Sequence, residues 1–226
     1  MKTFTCKQAA DLQNTAYPAT AWLFDNEHDF HRANSNSTFY GFATEATELY
    51  SHAGSHYRLQ PGMAFRVPQS IALRGAGFVI EKQNEVSMFQ IVGPVENTGR
   101  LKYIDGCSDS LLISPMKMGD ACLNHLHFPA GIRQTMHTHP TVRVGVVLRG
   151  SGVCVTPTDK IPLVPGVGWF LPEGSPHCFH TEGNTMDVIA WHPDTDTGPN
   201  DEDHPMLNRT YVDGTSARYC DTIRTK

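Results

Sequence analysis

The chain has 226 residues and carries 18 Lys and Arg against 23 Asp and Glu, a formal charge of -5 with histidine neutral. A hydrophobic share of 39% with 18% charged residues excludes a disordered polyelectrolyte, and the mild acidity gives no reason to expect nucleic-acid binding. No run approaches the roughly 20 apolar residues that span a bilayer, the start MKTFTCKQAADLQN lacks the apolar core of a signal peptide, and six scattered cysteines without a CxxC pair fit a reducing, cytoplasmic setting.

In chain order, only two early segments carry a helical period, TCKQAADLQN and NEHDFHRA, and short helices are expected there. The rest breaks into short apolar runs bounded by Gly, Pro, Asn and Asp, among them TFYGFAT, MAFRV, GFVIE, CLNHLHF, VRVGVVLR, VGWFL, HCFHT and MDVIAWH. A dozen such strands with little helix predicts an all-β protein of barrels or sandwiches. An internal repeat points the same way. Leu59 to Pro68 reads LQPGMAFRVP and Leu163 to Pro172 reads LVPGVGWFLP. Both are L-x-P-G, then five residues, then Pro, a tight turn feeding a five-residue strand that stops at a second turn. Duplication explains this better than chance. The polar, turn-rich stretch at 95–102 marks the boundary between halves, giving units 1–98 and 99–193 and an arm 194–226. That arm is rich in Pro, Asp and Asn, and Met206, Leu207 and Tyr211 are its expected apolar anchors; the acidic run 201–203 reads as solvated surface.

The chemistry is concentrated in the second half. GIRQTMHTHPTVRVGVVLRG, residues 131–150, places His137 and His139 two apart, where a strand would point both the same way. GVGWFLPEGSPHCFH, residues 166–180, runs to Pro172, turns through Gly174 and starts its next strand at His177. In a small antiparallel barrel that third imidazole can approach the first two.

These two segments resemble the paired motifs of the cupin superfamily. The first motif, G-x5-H-x-H-x(3,4)-E-x6-G, is met by Gly131, His137, His139 and Gly150, with Arg143 in the place of the glutamate. The second, G-x5-P-x-G-x2-H-x3-N, is met by Gly166, Pro172, Gly174 and His177, with Thr181 where the asparagine would fall. The resemblance implies jelly-roll barrels, a bicupin with few short helices whose first barrel is degenerate, since counting along the repeat puts Leu73 opposite His177. It further implies one divalent transition metal held by His137, His139 and His177, with Fe(II) first and Mn, Ni, Zn or Cu able to take the same ligands. Arginine stays protonated and cannot ligate. Arg143 therefore either faces the pocket, where it would pair with an anionic substrate, or swings out to an acid of the arm. The implied activity is that of a non-haem Fe(II) dioxygenase on a small anionic molecule. An isomerase or lyase using the metal as Lewis acid, and a non-catalytic binding cupin, are the alternatives, and the barrels could pair within one chain or across a homodimer.

Other residues carry weaker signals. His125 and His127 share a strand face opposite Leu126 and Phe128. With the apolar pair inward both histidines lie outside the barrel; with the face reversed His127 lines the pocket as a catalytic base. Cys178 and His180 read as structural, His192 as a rim residue without an assigned role, and His52 and His56 as ordinary histidines off the motif spacing. Of the adjacent Trp169 and Phe170, one faces the core and the other a pocket or partner barrel.

Overall fold

Short apolar runs separated by turn formers produce an almost wholly β chain. The computed structural model describes residues 1–226 except Lys7, Asn14, Ala53 and Lys226. Among the described residues there is one α-helix, Pro205–Arg209, and no helix is long and apolar enough to cross a membrane. The first half forms one antiparallel sheet in the order Ala10–Asp11, Ala19–Phe24, Gly77–Gln83, Phe30–Ala43, Ala64–Arg74, Thr47–Ser51 and His56–Leu59, with Gln90–Val92 also pairing to Ala64–Arg74. The second half forms a seven-stranded sheet in the order Lys2–Phe4, Gly168–Leu171, Arg143–Gly150, Met186–His192, Cys122–Phe128, Ser108–Ile113 and Leu101–Lys102. A three-stranded sheet of Lys160–Leu163, Gly152–Val155 and Cys178–His180 faces it. The first strand of the chain thus belongs to the sheet of the second half, with Lys2 opposite Phe170 and Phe4 opposite Gly168.

Neither predicted helix forms. In TCKQAADLQN the described residues make a hairpin edge, with Ala10 opposite Ala21, Asp11 opposite Thr20, and the Leu12 N–H donating to the Ala19 carbonyl at 2.9 Å. Ala10 and Leu12 are both buried, so period two wins over a segment too short to hold a helix without tertiary help. In NEHDFHRA, Asp25 Oδ1 accepts from the N–H groups of Glu27 and His28, a turn that hands over to the strand starting at Phe30.

Strand alternation divides the interior into three cores. Tyr40 and Phe42, Phe78 and Ile80, Val144 and Val146, and Ile189 and Trp191 all point into one shared core between the barrels. Their alternate neighbours Phe39 and Val79 fill the first barrel, and Val147, Val188 and Ala190 the second. Where they cross this shared core the four strands are buried on both faces, so those parts read as nearly continuous apolar runs. Tyr40 meets Trp191 edge-on across the shared core, ring centroids 6.4 Å apart.

The repeat recurs in the register. Gly62 and Gly166 occupy equivalent turns at φ +90 and +83, which L side chains rarely adopt. Gly41 lies opposite Phe65, and Gly145 opposite Trp169. The second turn is not shared. After Pro172 the chain turns as expected, but Pro68 lies inside the long strand Ala64–Arg74, which bends at Gln69 (φ 68) and continues. That difference shifts the counting. Thr47 faces Leu59 as Gly152 faces Leu163, and Leu49 faces Leu73 as Cys154 faces Phe179. Leu73 therefore matches Phe179, and the residue matching His177 is Ile71, buried in the first barrel's apolar core.

Polar groups fasten the start of the arm, and of its three expected anchors only Leu207 is half-buried. Met206 and Tyr211 are exposed, while Thr141 donates to Asp194, Gly119 to the Thr195 carbonyl and Met118 to the Pro199 carbonyl.

Candidate metal centre

His137 and His139 lie in an extended segment that makes one bridge to His177 instead of a full strand. The His137 and His177 backbones exchange two hydrogen bonds of 2.9 Å, and the Gly174 N–H donates to the His139 carbonyl at 2.9 Å. Gly174 holds φ +64, so this turn relies on a glycine to bring His177 across. The ring centroids are 5.0 Å apart for His137 and His139, 4.6 Å for His137 and His177, and 5.1 Å for His139 and His177. One nitrogen from each lies within 4.8 Å of the other two.

The backbone selects which nitrogen is free. His137 Nδ1 lies 2.8 Å from the Thr135 carbonyl and His177 Nδ1 lies 2.8 Å from the Ser175 carbonyl. A carbonyl only accepts, so each Nδ1 carries the proton and each Nε2 keeps its lone pair. Such carbonyl anchoring is how ligating imidazoles are oriented. His177 Nε2 is buried without a hydrogen-bond partner. Burial is the main cause that pushes His139 down to about 3 and His177 down to about 4, with Arg143 adding to both. Three imidazoles whose ring nitrogens lie this close together fit a divalent transition metal in chemistry and spacing.

Arg143 faces this space. Its Nη1 donates to the carbonyls of Thr141 (3.0 Å) and Val142 (3.1 Å) and to Thr141 Oγ1 (2.6 Å), and its Nε is buried without a partner. It forms no ion pair with the arm among the described residues; Thr141 stands between, donating to Asp194 Oδ1 at 2.7 Å. Burial lowers the Arg143 pKa from the ordinary guanidinium value. The corresponding residue of the first half is Phe39, since Phe39 faces Val67 as Arg143 faces Leu171.

Two chambers meet at Arg143. The inner one, about 70 Å³, holds His139 and His177 against apolar walls that include Leu126, Trp169, Leu171 and Phe179. The outer one, about 390 Å³, lies under the arm. Asp109, Arg143 and His192 line both and form the neck. Asp109 and His192 were not marked as site residues by motif spacing, because they come from neighbouring strands. Alternation could have flagged His192, which shares the inward face of Val188 and Ala190. Burial holds His192 far below its ordinary pKa, with Arg143 and His139 adding to the effect.

His127 lies elsewhere. Leu126 lines the inner chamber, so His125 and His127 occupy the opposite face of Cys122–Phe128, and His127 is not part of the chamber wall. The histidines are nonetheless not loose on the surface. Asp187 Oδ1 lies 2.6 Å from His125 Nε2 and 3.0 Å from His127 Nδ1, while Arg149 Nε donates to Asp187 Oδ2 at 2.8 Å. Burial works to raise the Asp187 carboxyl, but the hydrogen bonds from His125, Arg149 and His127 outweigh it and hold it at about 2. Cys178 Sγ meets His180 Nε2 at 3.3 Å, and His56 stacks on Tyr50. Trp169 faces the inner chamber, while Phe170 packs toward the core between the barrels.

No protein-family model matches the sequence, and no curated protein does. Solved structures do match the fold. The Cupin 2 conserved barrel domain protein from Leptotrichia buccalis aligns at TM-score 0.58 and 11% identity over 84% of this chain and 88% of its own. Protein Ylba from E. coli aligns at 0.56 and 14% identity over 85% and 84%. Salicylate 1,2-dioxygenase from Pseudoaminobacter salicylatoxidans, in an adduct with gentisate, aligns at 0.57 and 11% identity over 78% and 68%. This chain has the cupin fold.

Proposed function

We propose that this cupin-fold chain is a metal-dependent enzyme, a non-haem Fe(II) dioxygenase acting on a small organic molecule that carries an anionic group. The observation that carries the reading is the set of three convergent imidazoles, with His177 Nε2 buried and unpartnered, beside an arginine where the cupin motif has a carboxylate. His137, His139 and His177 would hold the ion. Fe(II) bound there would supply one-electron chemistry with dioxygen and a Lewis acid for the substrate.

The chain's own groups do the rest. The Thr135 and Ser175 carbonyls fix two of the imidazole rings, so the site is organised before any ion arrives. Arg143 sets a permanent positive charge at the neck, where a substrate carboxylate would dock. Trp169, Leu171 and Phe179 keep the inner chamber apolar and limit water. The first half, with Ile71 and Phe39 at the corresponding places, serves as support for a catalytic second half. The similarity to salicylate 1,2-dioxygenase supports the reading to the extent that this fold carries dioxygenase chemistry in that protein. Six unpaired cysteines fit work in a reducing cytoplasm.

The test is oxygen uptake by protein loaded anaerobically with Fe(II) and offered thiols, diketones and hydroxybenzoates. Consumption of oxygen in step with one of these substrates is expected. Turnover that proceeds equally under nitrogen would contradict the dioxygenase reading and assign the metal a Lewis-acid role.

A further inference from the structure

We infer that the substrate of this site is a zwitterion, bound with its acidic group toward Arg143 and a cationic nitrogen toward Asp109. The inference rests on the reading that the two chambers hold the substrate, and it adds the second recognition group. Among the described residues, Arg143 is the only Lys or Arg in the lining of either chamber. The carboxylates outnumber it: Asp109 at the neck, and Asp194 and Asp196 around the outer chamber. A dianion entering through that chamber meets more negative than positive charge. An amine without an acid meets Arg143, and any bound metal ion, as like charges.

Asp109 is the group placed to take the cation. It is half-buried and projects from Ser108–Ile113 into both chambers. Asn124 Nδ2 donates to its Oδ2 at 2.8 Å, which orients the carboxylate, and it forms no ion pair among the described residues. Burial raises its pKa, as expected of a carboxylate withdrawn from water without a cation beside it. Asp194 differs, since Thr141 and Tyr17 each donate to one of its oxygens and tie it to the scaffold. The neck therefore offers one cation and one incompletely paired anion in the same lining. A ligand with both charges satisfies both without leaving either desolvated group alone.

The experiment is calorimetric titration of metal-free and Zn(II)-loaded protein with four probes that share one ring: 3-(aminomethyl)benzoate, 3-(hydroxymethyl)benzoate, 3-methylbenzoate and 3-methylbenzylamine. The ammonium-bearing acid is expected to bind at least about tenfold more tightly than each of the others, the effect of one charge-assisted contact. Asp109→Asn should reduce that preference over 3-methylbenzoate to within about twofold, and Arg143→Gln should weaken every acid. Equal binding of the hydroxymethyl or methyl acid, indifference to Asp109→Asn, or no binding of any probe would overturn the inference. Metal content measured on the same samples reports separately on the metal reading, so failure of one is distinguishable from failure of the other.

Discussion

At the scale of single residues, the replacement of a carboxylate ligand by Arg143 divides two tasks that a glutamate would combine. Under the proposed function the histidines would hold the ion and the guanidinium would recognise the substrate. Arg143→Gln is therefore expected to raise KM for an acidic substrate about tenfold to a hundredfold while leaving metal stoichiometry unchanged, as steady-state kinetics and elemental analysis would show. Asp187 carries a different burden, since it gathers His125, His127 and Arg149 behind the barrel wall. Asp187→Ala is expected to cost about 3 kcal/mol in denaturant unfolding, because it strips the common partner from three polar groups. The acid response follows from depressed pKa values. Asp187, held at about 2, contributes stability that is present above the unfolded value near ~4 and lost as pH falls through 2. His139 and His177, pushed to about 3 and about 4 from 6.5, contribute in the same sense over a higher window. Metal-free protein should accordingly lose stability progressively from about pH 6.5 down to pH 3, and a melting series flat across that range would contradict the burial assigned to these rings.

At the scale of elements, two turns separate the barrel that carries the histidine cluster from the one that lacks it. Beyond Leu171 the chain breaks and turns through Gly174 before His177, whereas beyond Val67 it bends at Gln69 and runs on as one strand. This is why counting along the repeat reaches Leu73 and the register reaches Ile71. The triad was legible in sequence because its spacing is local, two residues in one segment and a Pro-x-Gly turn in the other. Asp109 was not, because it joins the site through strand pairing, which no motif spacing encodes, and His192 could be reached only by alternation along its own strand from Val188 and Ala190. The orientation of Cys122–Phe128 follows the burial preference of Leu126 and Phe128, which leaves His125 and His127 outside the chamber, and the reversed reading that put His127 in the pocket fails. The early helices failed because their apolar positions serve a sheet edge. Close approach at the glycine facing each aromatic is a further element-level constraint. A Cβ on Gly145 would lie 2.3 Å from the Ile189 carbonyl oxygen and 2.6 Å from Trp169, so Gly145→Ala should destabilise the fold by roughly 1–3 kcal/mol, read from the denaturation midpoint.

At the scale of the whole molecule, the barrels are joined through side chains that alternate out of the same strands that line their interiors. Tyr40, Phe42, Val144 and Trp191 share one core, and Lys2–Phe4 completes the sheet of the second half. Both features predict a single cooperative unfolding transition by circular dichroism and tryptophan fluorescence, and Phe4→Ala, by opening space beside Gly168, should shift it as a whole by about 3 kcal/mol. Two separated transitions would show the halves to be independent. The central claim is narrower, that His137, His139 and His177 together grip one divalent ion, and equilibrium titration of chelator-stripped protein with Co(II) tests it most directly. One ion per chain is predicted, abolished by His177→Ala in a protein that still unfolds in one transition. Failure to bind stoichiometrically, or undiminished binding by that variant, would contradict it.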